Sequence, residues 1–254
     1  ENGTSWGSCK IEKGNSISLD RFYVAHADID NETTLNRQLQ LGKHILFTPG
    51  IYKVAEPLTV TKPNTILLGL GLATIQPTTG KSGMLVDEVE GVRIAGLIFD
   101  AGPGENEQSS TGGSPVLLQV GKKGSKKDLR KHPIVLSDLF FRVGGVDTDK
   151  PCRADISLEI NARGTICDHF WIWRADHGKQ VGWSLNRADY GLVVNGNDVT
   201  IYGLFVEHFQ KYDTWWKGER GKMYFYQNEK AYDVPVQQDW VGPDGNGHGW
   251  AAYR

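Results

Sequence analysis

The 254-residue sequence lacks any apolar run near the roughly 20 residues that a membrane helix needs. It also lacks a charge excess: the formal net charge is −2, so no global field points to nucleic acid or to an anionic membrane surface. Cysteine is scarce, with Cys9, Cys152 and Cys167 only. These allow one disulfide with a thiol left over, or serve as small buried apolar residues. No CxxC pair and no Cys/His spacing of a zinc site occurs, so neither a structural metal nor a cofactor is expected. No serine stands in a nucleophile-elbow context, which disfavours a triad built on the His and acid neighbours at 131–138 and 207–208. The opening Glu1-Asn2-Gly3-Thr4 carries neither Met nor an apolar leader, as expected of a processed mature chain or a fragment, and a secreted, extracellular location is the expectation. Two acceptor triplets, Asn2-Gly3-Thr4 and Asn31-Glu32-Thr33, make Asn2 and Asn31 candidate glycosylation sites in polar stretches.

What is abundant is glycine, 31 residues spread along the chain, which points to many tight turns rather than one flexible tract. A phrase recurs. Residues 91–100 read Gly-Val-Arg-Ile-Ala-Gly-Leu-Ile-Phe-Asp, 133–142 read Pro-Ile-Val-Leu-Ser-Asp-Leu-Phe-Phe-Arg, and 198–207 read Asp-Val-Thr-Ile-Tyr-Gly-Leu-Phe-Val-Glu, with a looser copy at 164–173. Each is a short apolar strand, one bend residue, then a second short strand. Further strands precede several copies: Met84–Val86, Val116–Val120, Ile156–Ile160 and Gly191–Val194. Short strands separated by single residues that tolerate left-handed backbone are what the coils of a parallel β-helix require. A β-sandwich also predicts short strands, but the phrase recurs and contains no Asn-Gly or Asp-Gly hairpin turn. The expected fold is therefore all-β, a right-handed single-stranded parallel β-helix with long loop insertions. Ile94, Leu136, Ile166, Ile201 and Met223 are its expected inward anchors, the last two one minimal coil apart.

Upstream, Ile45–Phe47, Tyr52–Val54, Leu58–Val60 and Ile66–Leu68 fit the same pattern, and Thr33–Leu39 reads as a short capping helix or turn. One domain over 1–254 is expected, with 1–42 as an N-terminal cap or linker. The insertions are Gly102–Gly113 and Lys122–His132; the second is lysine-rich but without aromatics, and reads as a solvated loop rather than an anion or nucleic-acid site.

The densest polar-aromatic stretch is 204–233. It places Glu207 and Glu229 at the ends of strands 22 residues apart, so one coil would set them on adjacent rungs. Carboxyls so close should not both ionise easily, which raises one toward a general acid. Trp215, Trp216, Tyr224 and Tyr226, expected on flanking loops, together with Gln227, offer ring faces and an amide to a sugar. A second cluster, Trp171 to Gly178, holds Asp176 and His177, which could orient substrate or water; the plainer reading is a turn held by an Arg174–Asp176 contact. Asp100 and Arg142 occupy the Glu207 position in their own copies of the phrase and are expected on the same face.

The phrases Leu46–Tyr52, Leu68–Thr74, Phe141–Gly145, Trp173–His177, Gly203–His208 and Tyr224–Glu229 resemble a group of secreted pectate-lyase-like β-helix proteins, often carrying automatic names such as adenylyl cyclase or coagulation factor 5/8 type. That group is similar to glycoside hydrolase family 55, β-1,3-glucanases built from two tandem β-helices. The resemblance, running from about residue 20 to Arg254, implies an inverting two-carboxylate hydrolase of β-glucan, with Glu229 as general acid and Glu207 orienting water. It also implies that the chain is one piece of a longer, two-helix protein, with a companion chain or oligomer completing the solenoid. Read without the resemblance, the residues leave open a non-catalytic carbohydrate-binding or structural extracellular role.

Overall fold

The computed structural model describes residues 14–146, 148–245 and 247–254. Cys9 and Asn2 lie outside them. The repeated phrase becomes a stack of parallel strands. Phe22–Ala25, His44–Phe47, Ile66–Pro77, Arg93–Asp100, Val135–Val143, Ile166–Arg174, Thr200–Glu207 and Lys222–Glu229 pair in that order in a long sheet, with Ile51–Val54 added beside Ile66–Pro77. A shorter sheet stacks Leu58–Val60, Met84–Val86, Leu118–Val120, Ala154–Ile160, Ala188–Val194 and Thr214–Trp216, again all parallel. The chain is a parallel β-helix.

The alternation of side chains along each strand puts one set into the lumen. Ile94, Leu136, Cys167, Ile201 and Met223 are register partners in succession. Here one expected anchor shifts by a residue: Ile166 is half-buried, and Cys167 fills the column with no exposed surface. In a strand, a one-residue offset moves a side chain to the opposite face, and the small thiol of Cys167 is apolar enough to take the inward place. Cys152 and Cys167 are both buried free thiols. Phe99 and Phe141 stack with centroids 5.2 Å apart, continuing the same apolar ladder.

At the middle of each phrase the backbone turns at Gly96, Asp138, His169, Gly203 and Phe225, all with positive φ. Glycine and aspartate tolerate that conformation; His169 and Phe225 hold it because the strands on either side are fixed by pairing. The helix, Glu32–Gln40, is capped by the Asn31 side chain and buries Leu35 and Leu39 against the first coil. Two lysines of the 122–132 loop meet carboxylates: Lys122 lies 2.9 Å from Asp87 and Lys123 3.0 Å from Glu159. At the other end, Ala252–Arg254 runs beside Thr214–Trp216 and bonds its free edge.

Candidate functional site

Because the coils from Arg93–Asp100 onward repeat the phrase in register, its last outward position forms a column. Lys53 pairs with Gln76, Asp100 with Arg142, Arg142 with Trp173, Trp173 with Glu207, and Glu207 with Glu229. Gln76 joins the two parts, donating to Asp100 at 3.3 Å. The neighbouring Phe99, Phe141, Ile172 and Val206 are buried, so the alternation that fills the core also turns Trp173, Glu207 and Glu229 outward. Asp100 and Arg142 lie on the Glu207 face as expected, joined by bonds of 3.0 and 3.2 Å. Glu207 and Glu229 stand on adjacent rungs, their backbones about 4.8 Å apart by the strand spacing.

The two carboxylates take different partners. Trp171 donates its Nε1–H to Oε2 of Glu207 at 2.9 Å. Glu229 accepts from Gln227 at 3.3 Å and lies 3.7 Å from Nε2 of His208. The other ring nitrogen of His208 faces the carbonyl of Lys230 at 3.1 Å; a carbonyl only accepts, so Nδ1 carries a proton there. Asp176 completes the arc. It accepts from the Tyr232 hydroxyl, lies 2.8 Å from Nδ1 of His177, and is 3.9 Å from Nε2 of His208. Burial works to raise the Asp176 carboxyl, but Tyr232, the backbone and His177 outweigh it and hold it below the ordinary carboxylate range. The ring of Trp173 stacks on Trp171 at 5.6 Å and tilts against His177 at 5.0 Å. Glu207, Trp171, Trp173, His177, Asp176, His208 and Glu229 therefore form one continuous arc of contacts.

Two buried groups support that arc. Arg174 has no exposed surface and donates to the carbonyls of Asn186, His208 and Gly182 and to both oxygens of Asp233. This corrects the expected Arg174–Asp176 contact. Trp173 points out, so Arg174 points in, and Asp233 reaches it from the segment that follows Glu229. Asp213 is almost fully buried and accepts from the backbone N–H of Phe209 at 3.0 Å. Burial pushes its carboxyl up to about 8, the Phe209 bond and Lys230 opposing and the charge of Glu207 adding to the rise.

Of the residues named from the sequence, Asp176, His177, Glu207, Gln227 and Glu229 come together. The expected aromatic flank does not. Trp215 and Trp216 lie on the short sheet rather than on loops; Trp215 tilts on Tyr190 at 5.4 Å, with the Lys217 ammonium over its ring. Tyr226 continues the inward position of Leu204 and bonds Thr214 through its hydroxyl. Tyr224 precedes the bend and stacks on Tyr202 at 5.1 Å. The aromatic surface beside the carboxylates is instead Trp171, Trp173 and Tyr232. The period-two spacing in Trp171-Ile172-Trp173 is the signal that two indoles share one outward face. Asn31 is exposed, its side-chain oxygen engaged in capping the helix.

The fold is that of a parallel β-helix, and the comparisons place it in a family. The model of the LAM55 pectate lyase-like domain matches residues 22–229, and the chain belongs to that family. An exo-β-1,3-glucanase of Streptomyces sp. (strain SirexAA-E / ActE) is 48% identical over 252 residues, which is 99% of this chain and 39% of the relative. The structure of sacteLam55A from the same Streptomyces superposes with a TM-score of 0.88 at 47% identity, over 99% of this chain and 43% of that one. A variant of sacteLam55A in complex with glucose gives the same TM-score at 46% identity. The chain thus spans about two-fifths of the length of the relatives it matches.

Proposed function

We propose that this chain carries the hydrolytic site of an inverting glycoside hydrolase acting on a β-1,3-glucan. The observation that carries the reading is the pairing of Glu207 with Glu229 at the end of the outward column, each carboxylate held by its own neighbour. The glucanase relatives and the glucose complex of sacteLam55A support the substrate class. Glu229, held by Gln227 and His208, serves as the acid that protonates the glycosidic oxygen. Glu207, oriented by Trp171, positions the attacking water. The stacked indoles of Trp171 and Trp173 receive the apolar C–H face of a glucose ring, and Asp176 and His177 take its hydroxyls.

The test is Glu229→Gln. Removing a general acid should lower release of sugar from laminarin by roughly 10²–10⁴-fold. An aryl β-glucoside with an acidic leaving group needs no protonation and should be spared most of that loss. Undiminished release from laminarin by the variant would refute the assignment. Laminarin binding without turnover by the unmodified protein would favour the non-catalytic role.

A further inference from the structure

Trp183, Ser184 and Arg187 of the 175–187 connection help to line a cavity of about 480 Å³ that includes none of Glu207, Glu229, Asp176 or His177. Asp176 and His177, at the start of this connection, belong to the carboxylate arc; Trp183 and Arg187, near its end, line the cavity. Arg174 lies between the two places, its guanidinium 5.6 Å from the centre of the Trp183 ring and bonded to the carbonyl of His208.

The cavity is a built site rather than a gap. Trp183 and Trp240 meet edge to face at 5.9 Å and 71°, making two aromatic walls close to a right angle. The Trp240 N–H is committed to the carbonyl of Gln210 at 2.6 Å, and that of Trp250 to the carbonyl of Val241 at 2.9 Å. Those two indoles are pinned through their polar edges, so what they offer a ligand is apolar ring. The guanidinium groups are also placed: Arg153 donates through Nε to Leu185, and Arg187 through Nη2 to the carbonyl of Ser110. Each keeps other N–H groups for a ligand. Lys211 is neutralised by the buried Asp189 at 2.7 Å, and Asp239 adds an acceptor at the rim. Charges of both signs argue against a simple anion site. Fixed rings beside polar donors and acceptors match a pyranose, with apolar C–H faces and a rim of hydroxyls. The volume lies within the range of about 300–1,000 Å³ typical of small-ligand sites.

We propose that the Trp183–Trp240–Arg187 cavity is a second, non-catalytic saccharide site that holds a glucan chain while another part of the polymer occupies the carboxylate arc. The identity of the sugar rests on the function proposed above; the existence of the site does not.

The experiment is calorimetric binding of a β-1,3-linked glucose hexasaccharide to Glu229→Gln protein, alone and combined with Trp183→Ala or Arg187→Ala. Arg187 is exposed, so its truncation keeps the test open should loss of Trp183 disturb the packing around Arg174. The expected result is two binding events. One weakens by about tenfold or more in either cavity variant and survives Trp171→Ala. In proteins with Glu229 intact, hydrolysis of a disaccharide should be unchanged by Arg187→Ala. A single binding event lost with Trp171→Ala, or two events unaltered by a folded Arg187→Ala protein, would overturn the proposal. Arg187-dependent binding in a protein that does not hydrolyse laminarin would sustain the site and refute the hydrolase reading.

Discussion

Trp171 reaches diagonally across one rung to place its indole N–H on Oε2 of Glu207, because the register pairs Glu207 with Trp173 and leaves Trp171 two residues back on the same face. The bond gives Glu207 a fixed orientation that no residue on its own strand supplies. Trp171→Phe keeps a ring for stacking and removes the donor. Its expected effect is a fall in kcat of about tenfold with KM nearly unchanged, a loss on the order of 1.4 kcal/mol in the transition state alone. Trp171→Ala should raise KM as well. Steady-state kinetics on laminarin separates the two effects.

Tyr232 and Asp176 predict a pH effect. The Tyr232 hydroxyl is the strongest of the contacts that hold the Asp176 carboxyl below its ordinary range. In Tyr232→Phe that carboxyl rises, so its ionised form is lost at a higher pH than in the parent. The acid limb of the kcat/KM profile should therefore move upward in pH. An unmoved limb would remove Asp176 from the active form of the site.

Asp213 predicts a stability effect of the opposite dependence. Its carboxyl is pushed up to about 8 in the fold, against an ordinary 3.8 in the unfolded chain. Between those values the unfolded state ionises more readily than the native one, so stability is full below about pH 4 and is lost as pH rises toward 8. Asp213→Asn keeps an acceptor for Phe209 and does not titrate. Its melting temperature should fall no faster than the parent's below pH 4, and the difference should grow in the variant's favour up to about pH 8. A difference that is flat with pH would contradict the burial argument.

How much of this was legible in the sequence follows from what repeats. The strand–bend–strand phrase is a local pattern, so the coils, the common face of Asp100, Arg142 and Glu207, and the single coil between Glu207 and Glu229 could be read directly. The face on which Trp215 and Trp216 fall could not, because nothing local says which sheet the short strand Thr214–Trp216 joins. Cys167 displaced Ile166 for a related reason: an isolated apolar pair carries no phase until its neighbours fix the register. The Arg174–Asp233 pair joins residues far apart in the chain, and its only local trace is a charge next to an outward tryptophan.

That pair should be costly to break. Arg174 is buried completely and four carbonyl or carboxylate groups converge on it, so Asp233→Ala leaves a buried guanidinium short of its counter-charge. Loss of one partner from a buried pair typically costs about 3–5 kcal/mol. Urea denaturation should show a fall of that order, with the segment bearing Tyr232 loosened. A change under about 0.5 kcal/mol, the size of an ordinary surface substitution, would show that the pair is not structural.

Glycines at the same bend are not equivalent. Gly96 and Gly203 both have positive φ, but a Cβ on Gly96 would meet the carbonyl oxygen of Gly69 at 2.6 Å, while one on Gly203 has nothing nearer than 3.8 Å. Gly203→Ala should cost about 1–2 kcal/mol, the left-handed conformation alone. Gly96→Ala should cost clearly more, because two rungs must also move apart. Paired thermal melts decide it.

The anomer of the first product tests the central claim most directly. An inverting site built on Glu207 and Glu229 should release α-glucose from a β-1,3-glucan, seen as the α-anomeric proton signal in NMR spectra taken before mutarotation, and Glu229→Gln should abolish that signal. Initial appearance of β-glucose, or α-glucose formed equally well by Glu229→Gln, would contradict it.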